Sequence, residues 1–95
     1  MEVTLGQVVY SKAGRDAGRR FIVIGIIDSV YVFIADGDLR KVEKPKKKKL
    51  KHLNLTNTVI EHIAQKLKSG AKVGNSEIRK ALAALDLDNN KNDNT

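Results

Sequence analysis

The 95-residue chain has no cysteine and no tryptophan, a single proline and a single methionine, and its aromatic content is 4%. Without cysteine it can build neither a disulfide framework nor a thiolate metal site, which fits a reducing cytoplasm. The longest apolar stretches, Phe21 to Ile27 and Val30 to Ala35, are strand-length and broken by Asp28 and Ser29, too short to span a bilayer. No basic n-region followed by a long apolar segment marks the N-terminus, so no secretory signal is expected. The two histidines, His52 and His62, have no partner at metal-binding spacing. Asp28, Asp36 and Asp38 sit at turn positions and lack calcium-loop spacing. Ser11 beside Lys12 is not a nucleophile–base pair, and no other such constellation exists. The expectation is a protein without cofactor, metal or enzymatic activity.

What is abundant is positive charge, and it is unevenly placed. Residues 1–55 carry 12 lysines and arginines against 6 acidic residues, whereas residues 56–95 carry 6 against 5. Between Arg40 and Lys51 there are 8 basic residues and 1 acidic one, a net of +7 that equals the charge of the whole chain. Such a concentrated footprint suits a polyanion, nucleic acid first. A membrane surface is the weaker alternative, because no amphipathic basic helix or lipidation motif accompanies the lysine run.

Hydrophobic patterning divides the chain. Val3 to Val9, Phe21 to Ile27 and Val30 to Ile34 read as strands, rich in β-branched and aromatic residues. Asp36-Gly37-Asp38 is a hairpin signal. Arg40 to Val42 is a candidate fourth strand, stopped by Glu43-Lys44-Pro45. Lys46 to Lys49 cannot be core and reads as a charged linker or a phosphate-neutralising run. Leu50, His52 or Leu53, and Leu55 resume apolar character as a short closing strand. These short strands suggest a small β-barrel over residues 1–55.

Helical periodicity then takes over. Thr58 and Glu61 are spaced as a capping box. Ile60, Ile63 and Leu67 share a face, and Gly70 is a suitable stop. A second helix starts near Asn75 or Ser76, with Glu77 at its positive end and Ile78, Leu82 and Leu85 on one face. Residues 56–87 therefore read as a helical hairpin, whose stripes pack internally or dock a protein partner through residues 58–85. Residues 88–95 have too little apolar surface to fold and read as a disordered tail.

The stretch GQVVYSKAGRDAGRRFIVI, Gly6 to Ile24, carries a recognisable signature. It resembles the KOW motif: an apolar strand, a loop of the form G-[KR]-D-x-G-[KR]-[KR], and a second apolar strand. Gly14, Arg15, Asp16, Gly18, Arg19 and Arg20 match it, while Phe21 stands where many members have a further glycine. Residues 3–55 resemble KOW-domain ribosomal proteins of the archaeal and eukaryotic large subunit, and small bacterial RNA-binding proteins related to them. The resemblance implies an SH3-like barrel that binds ribosomal or other structured RNA. With the helical segment that follows, the expected class is α+β, the expected target ribosomal RNA of the large subunit, and the expected setting the cytoplasm.

The residues suggest the same use. Gly14 and Gly18 permit tight turning and close approach to a phosphate chain. Arg15, Arg19 and Arg20 offer planar forks to phosphate oxygens or stack on an unpaired base, and Asp16 is expected to brace the loop through bonds to backbone N–H groups. Lys12, Arg40, Lys41, Lys44, Lys46, Lys47, Lys48, Lys49 and Lys51 complete the candidate RNA-binding set. Phosphate contacts alone do not separate RNA from DNA. Tyr10, Phe21, Tyr31 and Phe33 are either core or base-stacking residues, the tyrosines being better suited to a wet face. The competing reading is a protein-interaction module of the transcription or translation machinery, docking through its helical half.

Overall fold

The computed structural model describes the backbone of residues 2–93 and the side chains of residues 2–87. Five strands, β1 (Gln7–Ser11), β2 (Arg20–Ile26), β3 (Tyr31–Ala35), β4 (Lys46–Lys49) and β5 (Leu53–Val59), are followed by helices α1 (Glu61–Ser69) and α2 (Asn75–Asp93). A 3-10 turn, Leu50–His52, joins β4 to β5. The strands form one antiparallel sheet in the order β4-β3-β2-β1-β5. The class is α+β, and the hydrogen-bonded ladder is an open sheet with β4 and β5 as its edges.

Strand alternation sends side chains to two separate cores. On one face Val8, Ile22 and Ala35 meet Ile63 of α1 and Ile78, Ala81 and Leu82 of α2. On the other, Val9, Phe21, Val23, Val32, Ile34 and Leu53 pack together without any helix. These side chains are 0–4% exposed although neither α1 nor α2 packs on them, which requires the sheet to curl over its own face. Register shifts between Gln7 and Val9 and between Val23 and Gly25 supply the extra twist.

Four local expectations change. The first strand begins at Gln7, because Thr4 donates its N–H to Gln7 Oε1 and Gln7 returns an N–H to the Thr4 carbonyl, making a turn. Arg40 to Val42 is not a strand. The Asp36 carboxylate takes the N–H groups of Asp38 and Arg40, and Asn75 Oδ1 takes that of Val42, so these donors are used by side chains. Lys46 to Lys49 instead forms β4, paired with β3 from Ile34↔Lys46 to Tyr31↔Lys49. An edge strand tolerates lysines because their stems lie along apolar neighbours while the ammonium groups reach water. The capping box does not form either. Ile60 donates its N–H to the Gly6 carbonyl, drawing Thr58 into β5, and α1 starts at Glu61 with Ile60 as its N-cap.

Gly70 ends α1 in the left-handed conformation, as its position predicts, and α2 begins at Asn75. The backbone is helical to Asp93, covering much of the segment read as a tail, while Asn94 and Thr95 lie outside the described residues. No described helix is long and apolar enough to cross a membrane.

Candidate nucleic-acid interface

The β1–β2 loop is a pair of interlocked turns. Gly18 donates its N–H to the Ser11 carbonyl at 2.8 Å, Arg19 to that of Asp16 at 2.9 Å, and Ala17 to that of Gly14 at 3.2 Å. Gly14 and Gly18 have φ of 80° and 84°. A β-carbon at Gly18 would meet nothing within 4 Å, and one at Gly14 only Lys48 Nζ at 3.6 Å. Their requirement is the left-handed backbone, and the space in front of that backbone is open. Arg15 points from this loop into solvent and makes no ion pair among the described residues.

Asp16 braces the loop differently from expectation. It is 3% exposed, and its carboxylate faces Arg40 across the gap to the β3–β4 connection. Arg40 Nε and one terminal nitrogen both approach Asp16 Oδ2 at 3.0 Å. Its Oδ1 is buried and accepts no hydrogen bond among the described residues. The brace is thus an inter-loop ion pair, with no Asx-type bond to backbone N–H groups.

The other two arginines of the motif are engaged as well. Arg19 donates to Asp36 Oδ2 at 2.8 Å. Burial pushes the Asp36 carboxyl upward, but the bond from Arg19 and the N–H groups of Arg40 and Asp38 outweigh it, leaving the carboxyl below its ordinary value. Arg20 forks onto Asp86 at 2.9 and 3.0 Å and also donates to the Leu82 carbonyl at 2.9 Å. That bond to Arg20 holds the Asp86 carboxyl down. Arg79 donates to the Gly37 carbonyl. Asp36 was legible only as a turn former, and Asp86, Asn75 and Arg79 carry no local signal of these roles. Their partners lie tens of residues away in the chain.

The lysines behave otherwise. Lys48 Nζ donates to the Ala13 carbonyl at 3.0 Å, tying β4 to the glycine loop. Lys47 and Lys49, on the opposite face of the strand, place their ammonium groups 4.4 and 5.9 Å from the centre of the Tyr31 ring. None of Lys46, Lys47, Lys48 or Lys49 pairs with a carboxylate among the described residues. Lys12, Lys41, Lys44 and Lys51 are exposed. The fold therefore brings the glycine loop and the lysine strand together, some 35 positions apart in sequence. Arg20 turns away from them, toward α2. Of the aromatic candidates, Phe21 is fully buried and Tyr10 is exposed, while Tyr31 and Phe33 are half-buried.

No protein-family model matches the chain. It is 30% identical over 71 residues to YbzG of Bacillus subtilis, a protein named as ribosome-binding, covering 75% of this chain and 96% of that one. It is 32% identical over 85 residues to the large ribosomal subunit protein eL14 of Pyrobaculum calidifontis, covering 90% of this chain and 76% of that one. The eL14 protein of Pyrobaculum arsenaticum matches over the same length at 29% identity.

Proposed function

The chain belongs to the family of the large ribosomal subunit protein eL14, and from that premise we propose that it is a non-enzymatic, ribosome-associated protein that grips ribosomal RNA by its phosphate backbone. One observation carries the reading: Lys48, bonded to the Ala13 carbonyl, ties the lysine strand to the open glycine loop, so that the two basic segments lie side by side. Unpaired ammonium groups on an edge strand give up few contacts when they turn to phosphate, and counterion release then favours binding. In this reading Lys12, Arg15, Lys41, Lys44, Lys46, Lys47, Lys48, Lys49 and Lys51 meet phosphates directly. Arg19 and Arg40 present their remaining N–H groups from within their ion pairs, and Arg20 fixes α2 behind the surface.

The finer reading is a KOW domain. The strand order, the curl around Phe21 and the glycine loop between β1 and β2 support an SH3-like barrel that is open between β4 and β5. The cellular setting proposed is cytoplasmic, where ribosomes work. Docking of a protein through the helices is less favoured, because Ile60, Ile63, Leu67, Ile78, Leu82 and Leu85 all pack into the helix-side core.

The test is sedimentation of tagged protein with purified ribosomal subunits across a salt series. Co-migration with the large subunit at ~100 mM salt, falling as a power of salt with a slope of about −0.7 to −0.9 per phosphate contact, is the expected result. Protein left at the top of the gradient at the lowest salt overturns the proposal.

A further inference from the structure

Alternation along β3 places Tyr31, Phe33 and Ala35 on the helix-side face of the sheet. Only Ala35 is covered: it joins the core built with α1 and α2. Tyr31 and Phe33 join neither apolar cluster and are half-buried. Their side of the sheet is shaped for flat rings. Phe33 pairs with Gly25 on β2, where a β-carbon would come within 3.2 Å of the ring. The absence of a side chain there lets the ring lie against the strand. On the other side, Phe33 and Tyr31 pair with Lys47 and Lys49 of the edge strand. The two ammonium groups hover 4.4 and 5.9 Å from the Tyr31 centroid.

Two aromatic rings at i and i+2, flanked by two cations without carboxylate partners among the described residues, form a surface with both chemistries of a nucleotide's complement. The rings offer π-faces to bases, and the ammonium groups offer charge to the phosphates between them. We propose that Tyr31 and Phe33 form a stacking platform for unpaired RNA bases, with Lys47 and Lys49 holding the adjoining phosphates. This rests on the RNA-binding reading above and makes it narrower: the preferred RNA is a single-stranded segment. Duplex RNA hides its base faces and can engage only the lysines. Lys47 is exposed, so its ammonium can leave the ring for a phosphate without uncovering any core.

The platform can be tested in the full-length chain with two probes, a short oligouridine and a blunt RNA duplex, at ~100 mM salt. Tyr31→Leu is expected to weaken oligouridine binding about 5- to 100-fold, the range for losing one stacked base, and to leave duplex binding alone. Tyr31→Phe should bind both probes as the wild type does. A second measurement leaves the platform intact. The chain has two tyrosines and no tryptophan, so in a Tyr10→Phe protein all tyrosine emission comes from Tyr31. Saturable quenching by oligouridine, absent with duplex, is the expected signature. Equal oligouridine affinity of Tyr31→Leu and wild type, or unmoved emission at saturation, overturns the platform while leaving RNA binding standing. Wild-type protein that binds neither probe overturns the RNA reading itself, and the platform with it.

Discussion

Arg19, Arg20 and Arg40 each end on an aspartate, whereas Lys47, Lys48 and Lys49 of β4 end on a carbonyl or an aromatic ring. Both groups belong to one basic surface in sequence, yet the fold uses them differently. A guanidinium is a rigid planar fork that matches a carboxylate. Here such forks lock the β1–β2 loop to the β3–β4 connection and to α2. An ammonium on a flexible stem can lie along an edge strand and keep its charge available. Charge density along a chain locates a basic surface. Which of its charges are already spent depends on where the carboxylates come to rest.

Removing the arginine side of this contrast has the largest expected effect. Asp36→Ala strips Arg19 of its partner and the N–H groups of Asp38 and Arg40 of their acceptor. A cost of about 2–3 kcal/mol is expected, a fall in Tm of roughly 10–20 °C for a domain of this size. A Tm within a degree or two of wild type would mean that these arginines are not structural clamps.

Acid acts on the same contact. The folded Asp36 carboxyl lies below its ordinary value, so the unfolded chain binds the proton more readily. The stability this group adds is complete above the unfolded value near ~4 and is lost as pH falls through the lower folded value. Urea unfolding across pH should therefore show a decline below about pH 4 that is shallower in Asp36→Asn. Identical profiles for the two proteins would remove Asp36 from the account.

The lysine side should fail in the opposite way. Lys46→Gln/Lys47→Gln/Lys49→Gln is expected to weaken ribosomal RNA binding roughly 100-fold at ~100 mM salt and to flatten the salt slope by about 2, from three lost phosphate contacts. Its stability should stay within ~0.5 kcal/mol of wild type. If chemical unfolding shows a loss as large as that of Asp36→Ala, the distinction between the two groups collapses.

Smaller effects sharpen it further. Arg20→Ala should cost about 1 kcal/mol through the bond to the Leu82 carbonyl, plus a salt-sensitive part from the exposed Asp86, with RNA affinity barely moved. A large loss of affinity at full folding would return Arg20 to the RNA-contacting set. Arg15→Ala, at the tip of the loop, is the mildest. Unfolding should be unchanged while the salt slope drops by about 0.7, one phosphate contact, and a slope equal to wild type would take Arg15 off the surface.

Much of this molecule is readable from local pattern. The β-branched runs that became β2 and β3 lie within a residue of their expected limits, and Gly14, Gly18 and Gly70 all take the positive φ that their turn or capping positions call for. What misled was local pattern overridden by distant partners. Lys46 to Lys49 has poor strand propensity, and it is a strand because β3 offers an unpaired edge beside it. Arg40 to Val42 has the better strand composition, but Asp36 and Asn75 use its N–H groups. Thr58 has the spacing of a helix cap, but β5 extends through it.

By itself the sequence determined the α+β character, the two-glycine basic loop, the lysine-rich segment and the apolar stripes of both helices, because each depends on residues within a turn or two of one another. The tertiary structure decided that Lys48 ties the lysine strand to the loop, that Asp16, Asp36 and Asp86 neutralise three of the arginines, and that Tyr31 and Phe33 stay outside both cores. These outcomes follow from antiparallel pairing and from packing α1 and α2 against one sheet face. Both set distances between residues far apart in the chain, which no local spacing encodes.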